Sequence, residues 1–232
     1  VVFYLIFRLL GQYVRAEERS SQGRADAVVW TAERIYVFEF KLEGTAEDAL
    51  AQIESKETAP MTPLVSTEWL AAELGKSDLR IVDATMLPAD SGRNARAEFE
   101  AAHIPGAVFV DLEELSDTSN PLPHMLPRPE KFASRMQALG LGDGSRIVVY
   151  DNSPFKSAAR MWWMLDLFGA HEVAILDGGF AKWQAEGRGI ESGKAVIRHR
   201  HFTVFEERAL VRDMAQMTEN LKTKAEQVID AR

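Results

Sequence analysis

A chain of 232 residues, 46% of them hydrophobic, is long enough to bury one core of ordinary size with a further segment to spare. Its net charge of -8 excludes the basic footprint that bulk attraction to nucleic acid or anionic membranes requires. The absence of cysteine excludes disulfides, cysteine–metal sites and a thiol nucleophile within these residues, and accords with an expected cytoplasmic setting.

The opening run 1–7 is apolar, but Arg8 interrupts it far short of a membrane span, so no membrane partner is expected. Residues 1–10 read as a helix cut at its start, continued by the mixed charges of 15–19. Residues 20–23 form a turn cluster. Segments 24–30 and 35–42 read as strands joined by the hairpin loop 31–34, and Thr45 caps a helix through Ile53. Side chains alternate along the second strand, so Glu39 and Lys41 share a face that Asp26 on the partner strand can join. Two carboxylates beside a lysine suit Mg²⁺-assisted phosphodiester hydrolysis: the acids hold the ion and the lysine positions or activates water. The spacing alone equally describes an exposed charged face on a hairpin, which is the commoner meaning.

Three stretches carry more than spacing: Gly23-Arg24-Ala25-Asp26, Arg34-Ile35-Tyr36-Val37-Phe38-Glu39-Phe40-Lys41, and Ala49-Leu50-Ala51-Gln52-Ile53. Together they resemble the PD-(D/E)XK nuclease-like domain. The resemblance implies Asp26 and Glu39 as metal ligands, Lys41 as the catalytic lysine and Gln52 as an auxiliary helix residue. It also implies Mg²⁺ as cofactor and nucleic acid as substrate. Residues 1–58 are accordingly expected to be a small α+β nuclease-like fragment. Pro60 and Pro63 disfavour helix around the boundary at 57–61, where two segments of different character are expected to be joined.

From Pro63 strands and helices alternate. Residues 67–74 read as a helix between a Ser66 cap and a Gly75 stop. A strand at 79–84, a loop at 87–95, a short helix at 98–102 and a strand at 107–110 follow. The proline-rich loop 121–129 leads into a helix at 130–139. Residues 140–144 are glycine-rich but precede a strand, so they are a turn and not a phosphate loop. Strand 147–150 runs into a polar loop and a helix capped by Ser157, with Met161, Trp162, Leu165 and Phe168 at helical spacing. Gly169 ends that helix, 173–176 is the next strand, and Asp177-Gly178-Gly179 turns into another helix. Residues 209–221 read as an amphipathic helix and 227–231 as a strand. This alternation predicts an α/β domain with a mainly parallel central sheet. Chemistry in such a sheet sits beyond the carboxyl ends of strands, which directs attention to loop 151–156.

Most other polar residues carry ordinary readings. His103, before Ile-Pro-Gly, reads as a turn stabiliser, and His199 and His201 with Arg198 and Arg200 as a solvated basic run. Five scattered histidines lack zinc-ligand spacing. Trp162 and Trp163 read as core and interface residues, and Ser153 and Ser157 lack a base that would make either a nucleophile.

A second resemblance rests on Arg80-Ile81-Val82-Asp83-Ala84, then Arg96-Ala97-Glu98-Phe99-Glu100 leading into His103-Ile104-Pro105-Gly106-Ala107. His124-Met125-Leu126-Pro127, Ser157-Ala158-Ala159-Arg160 with Trp162-Trp163, and Asp177-Gly178-Gly179 continue it. Over residues 62–232 these resemble the first of two tandem domains in the rhodanese/3-mercaptopyruvate sulfurtransferase family. The resemblance implies a rhodanese-like domain at 62–188, and a connector with the start of a second such domain at 189–232. It implies sulfur transfer from a small anionic donor, thiosulfate or 3-mercaptopyruvate, through a cysteine persulfide and without metal or other cofactor. That cysteine belongs to the second domain, so this chain is expected to end before the nucleophile and to be inactive alone. Its missing partner is then the second rhodanese domain. By the same resemblance Arg160 binds the anionic substrate, a task suited to a guanidinium that stays charged and pairs bidentately. A rhodanese-like binding module is the alternative to an enzyme half.

Overall fold

A computed structural model describes residues 13–20, 23–30 and 35–38 and the continuous stretch 61–229. The first three segments are strands β1 (Tyr13–Ser20), β2 (Gly23–Trp30) and β3 (Ile35–Phe38), forming an antiparallel sheet in that order. The charged run 15–19, expected to continue a helix, instead lies within β1, where Arg15 opposes Val28 and Arg19 opposes Arg24. The ladder satisfies the backbone groups that a helix would have satisfied internally, and pairing of this kind overrides a weak local propensity. The helices expected at 1–10 and 45–53 lie outside the described residues.

The remaining elements alternate as the sequence predicts. They are β4 (Leu64–Val65), α1 (Thr67–Glu73), β5 (Leu79–Asp83), α2 (Ala95–Ala101), β6 (Ala107–Phe109), α3 (Leu112–Leu115) and α4 (Pro129–Ala138). Then come β7 (Arg146–Tyr150), α5 (Ala158–Leu167), β8 (Val173–Leu176), α6 (Gly179–Ala185) and, after a 3-10 turn at Arg208–Leu210, α7 (Met214–Thr223). The five strands form one sheet in the order β4-β8-β7-β5-β6, every neighbouring pair parallel. Two short elements escape the sequence reading: β4 has two residues and α3 four, too few for periodicity to register. The last helix begins at Met214 and not at residue 209, because Asp213 and Gln216 form a reciprocal capping box there.

All five residues of β7 are buried, as a central parallel strand covered on both faces requires. Alternation sends Ile147 and Val149 to one layer with Phe132, Met136, Met161 and Leu165. It sends Val148 and Tyr150 to the other, with Leu70, Phe99, Phe180 and Trp183. The first layer is closed by a residue from far along the chain. Phe202 of the connector is buried, with its ring 5.8 Å from Phe132, which in turn lies 4.4 Å from Phe168. No helix among the described residues is long and apolar enough to cross a membrane.

At the amino end of β7, Arg146 is buried and must be neutralised. Its guanidinium contacts both Asp78 oxygens, at 2.7 and 3.2 Å, and reaches Glu73 at 2.7 Å. Burial alone pushes the Asp78 carboxyl up, but the hydrogen bonds and charge of Arg146 outweigh it and hold Asp78 below its usual range. A lowered folded pKa gives stability that is present above the ordinary value and is lost as pH falls through the folded one. Asp78→Asn is therefore expected to lower urea stability most above pH 3.8, the ordinary value. The gap to wild type should narrow as the pH is taken below it; a gap independent of pH contradicts this account.

Candidate active-site loop

The carboxyl ends of β5 and β7 lie side by side, with Asp83 opposite Tyr150. Both strands end in a buried acid or one residue short of it, since Asp83 closes β5 and Asp151 follows β7. Asp83 accepts from the Thr85 amide at 2.9 Å and lies beside the Tyr150 hydroxyl, which accepts from the Ile104 amide at 3.4 Å. Burial raises the Asp83 carboxyl, helped by the charge of Asp151 and opposed by Thr85 and Tyr150. Burial also lifts the Tyr150 phenol well above its ordinary value, and the adjacent Asp83 adds to the effect.

Loop 151–156 is shut by its own groups. Asp151 Oδ1 accepts from the Ser153 amide at 3.3 Å, and Oδ2 from the Ala158 amide at 2.6 Å. The Asp151 carbonyl accepts from the Phe180 amide at 3.0 Å; a Cβ on Gly179 would lie 2.5 Å from that oxygen, so glycine is required there. Thr85 Oγ1 accepts from the Asn152 amide, and Ser153 Oγ donates to the Met86 carbonyl while accepting from Phe155 N. The sequence assigns the cap of α5 to Ser157, but its hydroxyl donates to Ala84 O and accepts from Met86 N. Asp151 supplies the capping oxygen instead. The loop folds back far enough for the earlier acid to reach the helix amide, leaving Ser157 to tie the loop to the end of β5. Neither serine oxygen has a base for a partner, in keeping with neither being a nucleophile.

Arg160, singled out by sequence, stands on the first turn of α5. Its Nη2 donates to the His124 carbonyl at 2.8 Å, and its guanidinium lies 4.9 Å from the centre of the Trp163 ring. Partial burial lowers its pKa. Among the described residues it forms no ion pair with a carboxylate. His103 has the structural place expected: it is buried, stacked on Phe99 at 4.1 Å, with Nδ1 2.7 Å from the Phe99 carbonyl. Trp162 Nε1 donates to Val173 O, fastening α5 to β8.

Of the nuclease-like set, Asp26 stands in β2 one residue before Ala27, which pairs with Phe38. Glu39, Lys41 and Gln52 lie outside the described residues. Among those described, no group of three or more His, Asp or Glu is arranged to hold a metal ion. The organising roles of Asp151, Asp83 and Thr85 were missed in the sequence. The available signal was an acid directly after a buried β-branched run, where an unpaired charge has no business unless the next loop turns back to meet it.

The fold and the loop define a parallel α/β domain with a thiol-free strand-to-helix loop beyond its central strand. The rhodanese-like domain family model matches residues 66–186, more than half of the chain, and the chain belongs to that family. The PD-(D/E)XK nuclease superfamily model matches residues 1–68. The 3-mercaptopyruvate sulfurtransferase of Escherichia coli K12 is 42% identical over 173 residues, 74% of this chain and 61% of that protein. The Homo sapiens 3-mercaptopyruvate sulfurtransferase is 38% identical over 175 residues, 73% of this chain and 59% of the relative. The crystal structure of the 3-mercaptopyruvate sulfurtransferase SseA from Escherichia coli superposes with a TM-score of 0.70 at 40% identity. It covers 74% of this chain and 66% of that one. The chain thus spans about three fifths of the length of these two sulfurtransferases.

Removing the Asp151 carboxylate orphans two amides next to a buried strand. Asp151→Ala is expected to cost about 1–3 kcal/mol in urea denaturation, with Asp151→Asn recovering part of the loss. Equal stability of all three proteins would show that the carboxylate does not hold the loop.

Proposed function

We propose that residues 62–188 are the non-catalytic first domain of a thiosulfate or 3-mercaptopyruvate sulfurtransferase. Residues 189–232 are then its connector and the start of a cysteine-bearing second domain. The observation that carries this reading is a rhodanese-like domain whose strand-to-helix loop contains no thiol, in a chain without cysteine. In the full reaction a thiolate attacks the donor's transferable sulfur, breaking the S–S bond of thiosulfate or the C–S bond of 3-mercaptopyruvate, whose enolate leaves and takes up a proton. Sulfite or pyruvate is the product, and the persulfide passes its outer sulfur to cyanide or another thiophilic acceptor. No metal takes part. Arg160 is the residue proposed to pair with the donor's anionic end, since its guanidinium is free of carboxylates among the described residues. The cytoplasm is the compartment proposed.

The test is cyanolysis. With 3-mercaptopyruvate or thiosulfate and cyanide, the 232-residue chain is expected to form no thiocyanate above the blank. Joined to a cysteine-bearing rhodanese domain it is expected to turn over, and Arg160→Gln to raise KM about tenfold or more, as loss of a charged hydrogen bond should. Turnover by the cysteine-free chain alone overturns the proposal.

A second reading concerns residues 1–58: Mg²⁺-dependent phosphodiester hydrolysis, with Asp26 and Glu39 holding the ion, Lys41 activating water and Gln52 assisting. The superfamily match over residues 1–68 and the antiparallel β1–β2–β3 sheet favour it. Supercoiled plasmid should be nicked with Mg²⁺ and spared after chelation or in Lys41→Ala. Intact plasmid with both Mg²⁺ and Mn²⁺ retires this reading.

A further inference from the structure

The amino-end edge of the parallel sheet, opposite loop 151–156, holds two guanidiniums that have no ion-pair partner of their own among the described residues. Arg80, the second residue of β5, is half-buried. Its Nε donates to Gly140 O at 3.3 Å and its Nη1 to Leu79 O at 2.5 Å, both uncharged carbonyls. The acids of this edge are already engaged. Asp78 gives both oxygens to Arg146, and Glu73 is shared between Arg146 at 2.7 Å and Lys76 at 2.6 Å.

Arg200 reaches the same edge from the connector. A Cβ on Gly140 would lie 2.6 Å from Arg198 O, and one on Gly142 would lie 2.5 Å from Arg200 Cβ. The connector therefore lies flat on the 140–144 turn, and only glycine allows it. Asp143 pins the far side: its amide donates to His201 O at 2.9 Å, and its carboxylate accepts from Thr203 N and Oγ1 at 2.8 and 2.6 Å. Held in this way, Arg200 directs Nη2 toward Ser77 O at 3.5 Å. Arg80 and Arg200 are close enough to repel: burial lowers the Arg80 pKa first and the Arg200 charge lowers it further, outweighing the opposing charge of Asp78, which is itself bonded to Arg146. Among the described residues neither forms an ion pair. Arg198, His199 and His201, next to Arg200 in sequence, are exposed, in a chain whose net charge is -8.

Two like charges fixed together, one of them half-buried, cost stability unless an anion lies between them. Guanidinium forks present paired N–H groups in a plane, and two forks at an angle match the oxygens of a tetrahedral oxyanion. We propose that Arg80 and Arg200 form a binding site for a free tetrahedral oxyanion of the phosphate or sulfate class. The site is separate from the Asp151 loop and from any sulfur-transfer chemistry, and it fastens the connector to the sheet when filled.

The experiment titrates the full chain with inorganic phosphate, and separately with sulfate, at constant ionic strength maintained with sodium chloride. It follows the arginine Nε–Hε NMR signals and Tm. The expected result is saturable binding in the range of about 1 mM, with Tm rising accordingly. Arg200→Gln, at an exposed position, should weaken binding about tenfold or more. Arg212→Gln, whose guanidinium is already paired with Glu226, should leave it unchanged. A response that does not saturate, that chloride reproduces, or that persists in Arg200→Gln overturns the proposal.

Discussion

The structure turns on a strand that is fully buried yet bounded by charge. The five residues of β7 lie in the middle of the sheet, with no water on either face, but the chain enters at Arg146 and leaves at Asp151. Neither charge is tolerable in such a place without dedicated partners. At the entrance, Asp78 and Glu73 converge on the guanidinium from the start of β5 and the end of α1. At the exit, the carboxylate accepts from two amides of the following loop and helix. The same requirement therefore closes both ends of the domain, once with an ion pair and once with backbone donors.

This arrangement bears on chemistry. A strand-to-helix loop of this kind presents amide donors at its mouth, and these suit an incoming or resident anion. Here the anion is a side chain of the loop itself. Asp151 occupies two of the donors, the amides of Ser153 and Ala158, and Gly179 brings the following helix against its carbonyl. Lys156 is exposed, and Arg160 is half-buried and held by a carbonyl and an aromatic ring.

The alternation of strands and helices from residue 63 onward, the Ser66 cap, the Gly75 and Gly169 stops and the burial of the Trp162 region were legible because each rests on local chemistry or period. Sheet pairing was not. Residues 15–19 look helical in isolation and become a strand only through a partner that local patterning does not name. Ser157 looks like a cap because serine before a helix usually is one. It loses the role to Asp151 because the loop between them doubles back, a fact of tertiary geometry. The Arg80–Arg200 neighbourhood joins positions 120 residues apart in a way that no spacing rule anticipates. The family, by contrast, was readable from its motifs, since these are short, ordered and widely distributed.

The position of Phe202 affects how this molecule can be made and divided. Its ring packs on Phe132, and the following residues bond to the end of α5, Phe205 N to Phe168 O and Glu207 N to Leu167 O. A nascent chain released only as far as α6 would have every strand of the sheet but a core still open on the α4 side. The folding unit thus outlasts its last strand by some distance. A cut placed at the apparent end of the domain, after α6, would remove an aromatic side chain from the interior and expose the surface it had covered. Proteolysis or recombinant dissection should respect the later limit, just beyond the residues that bond to α5.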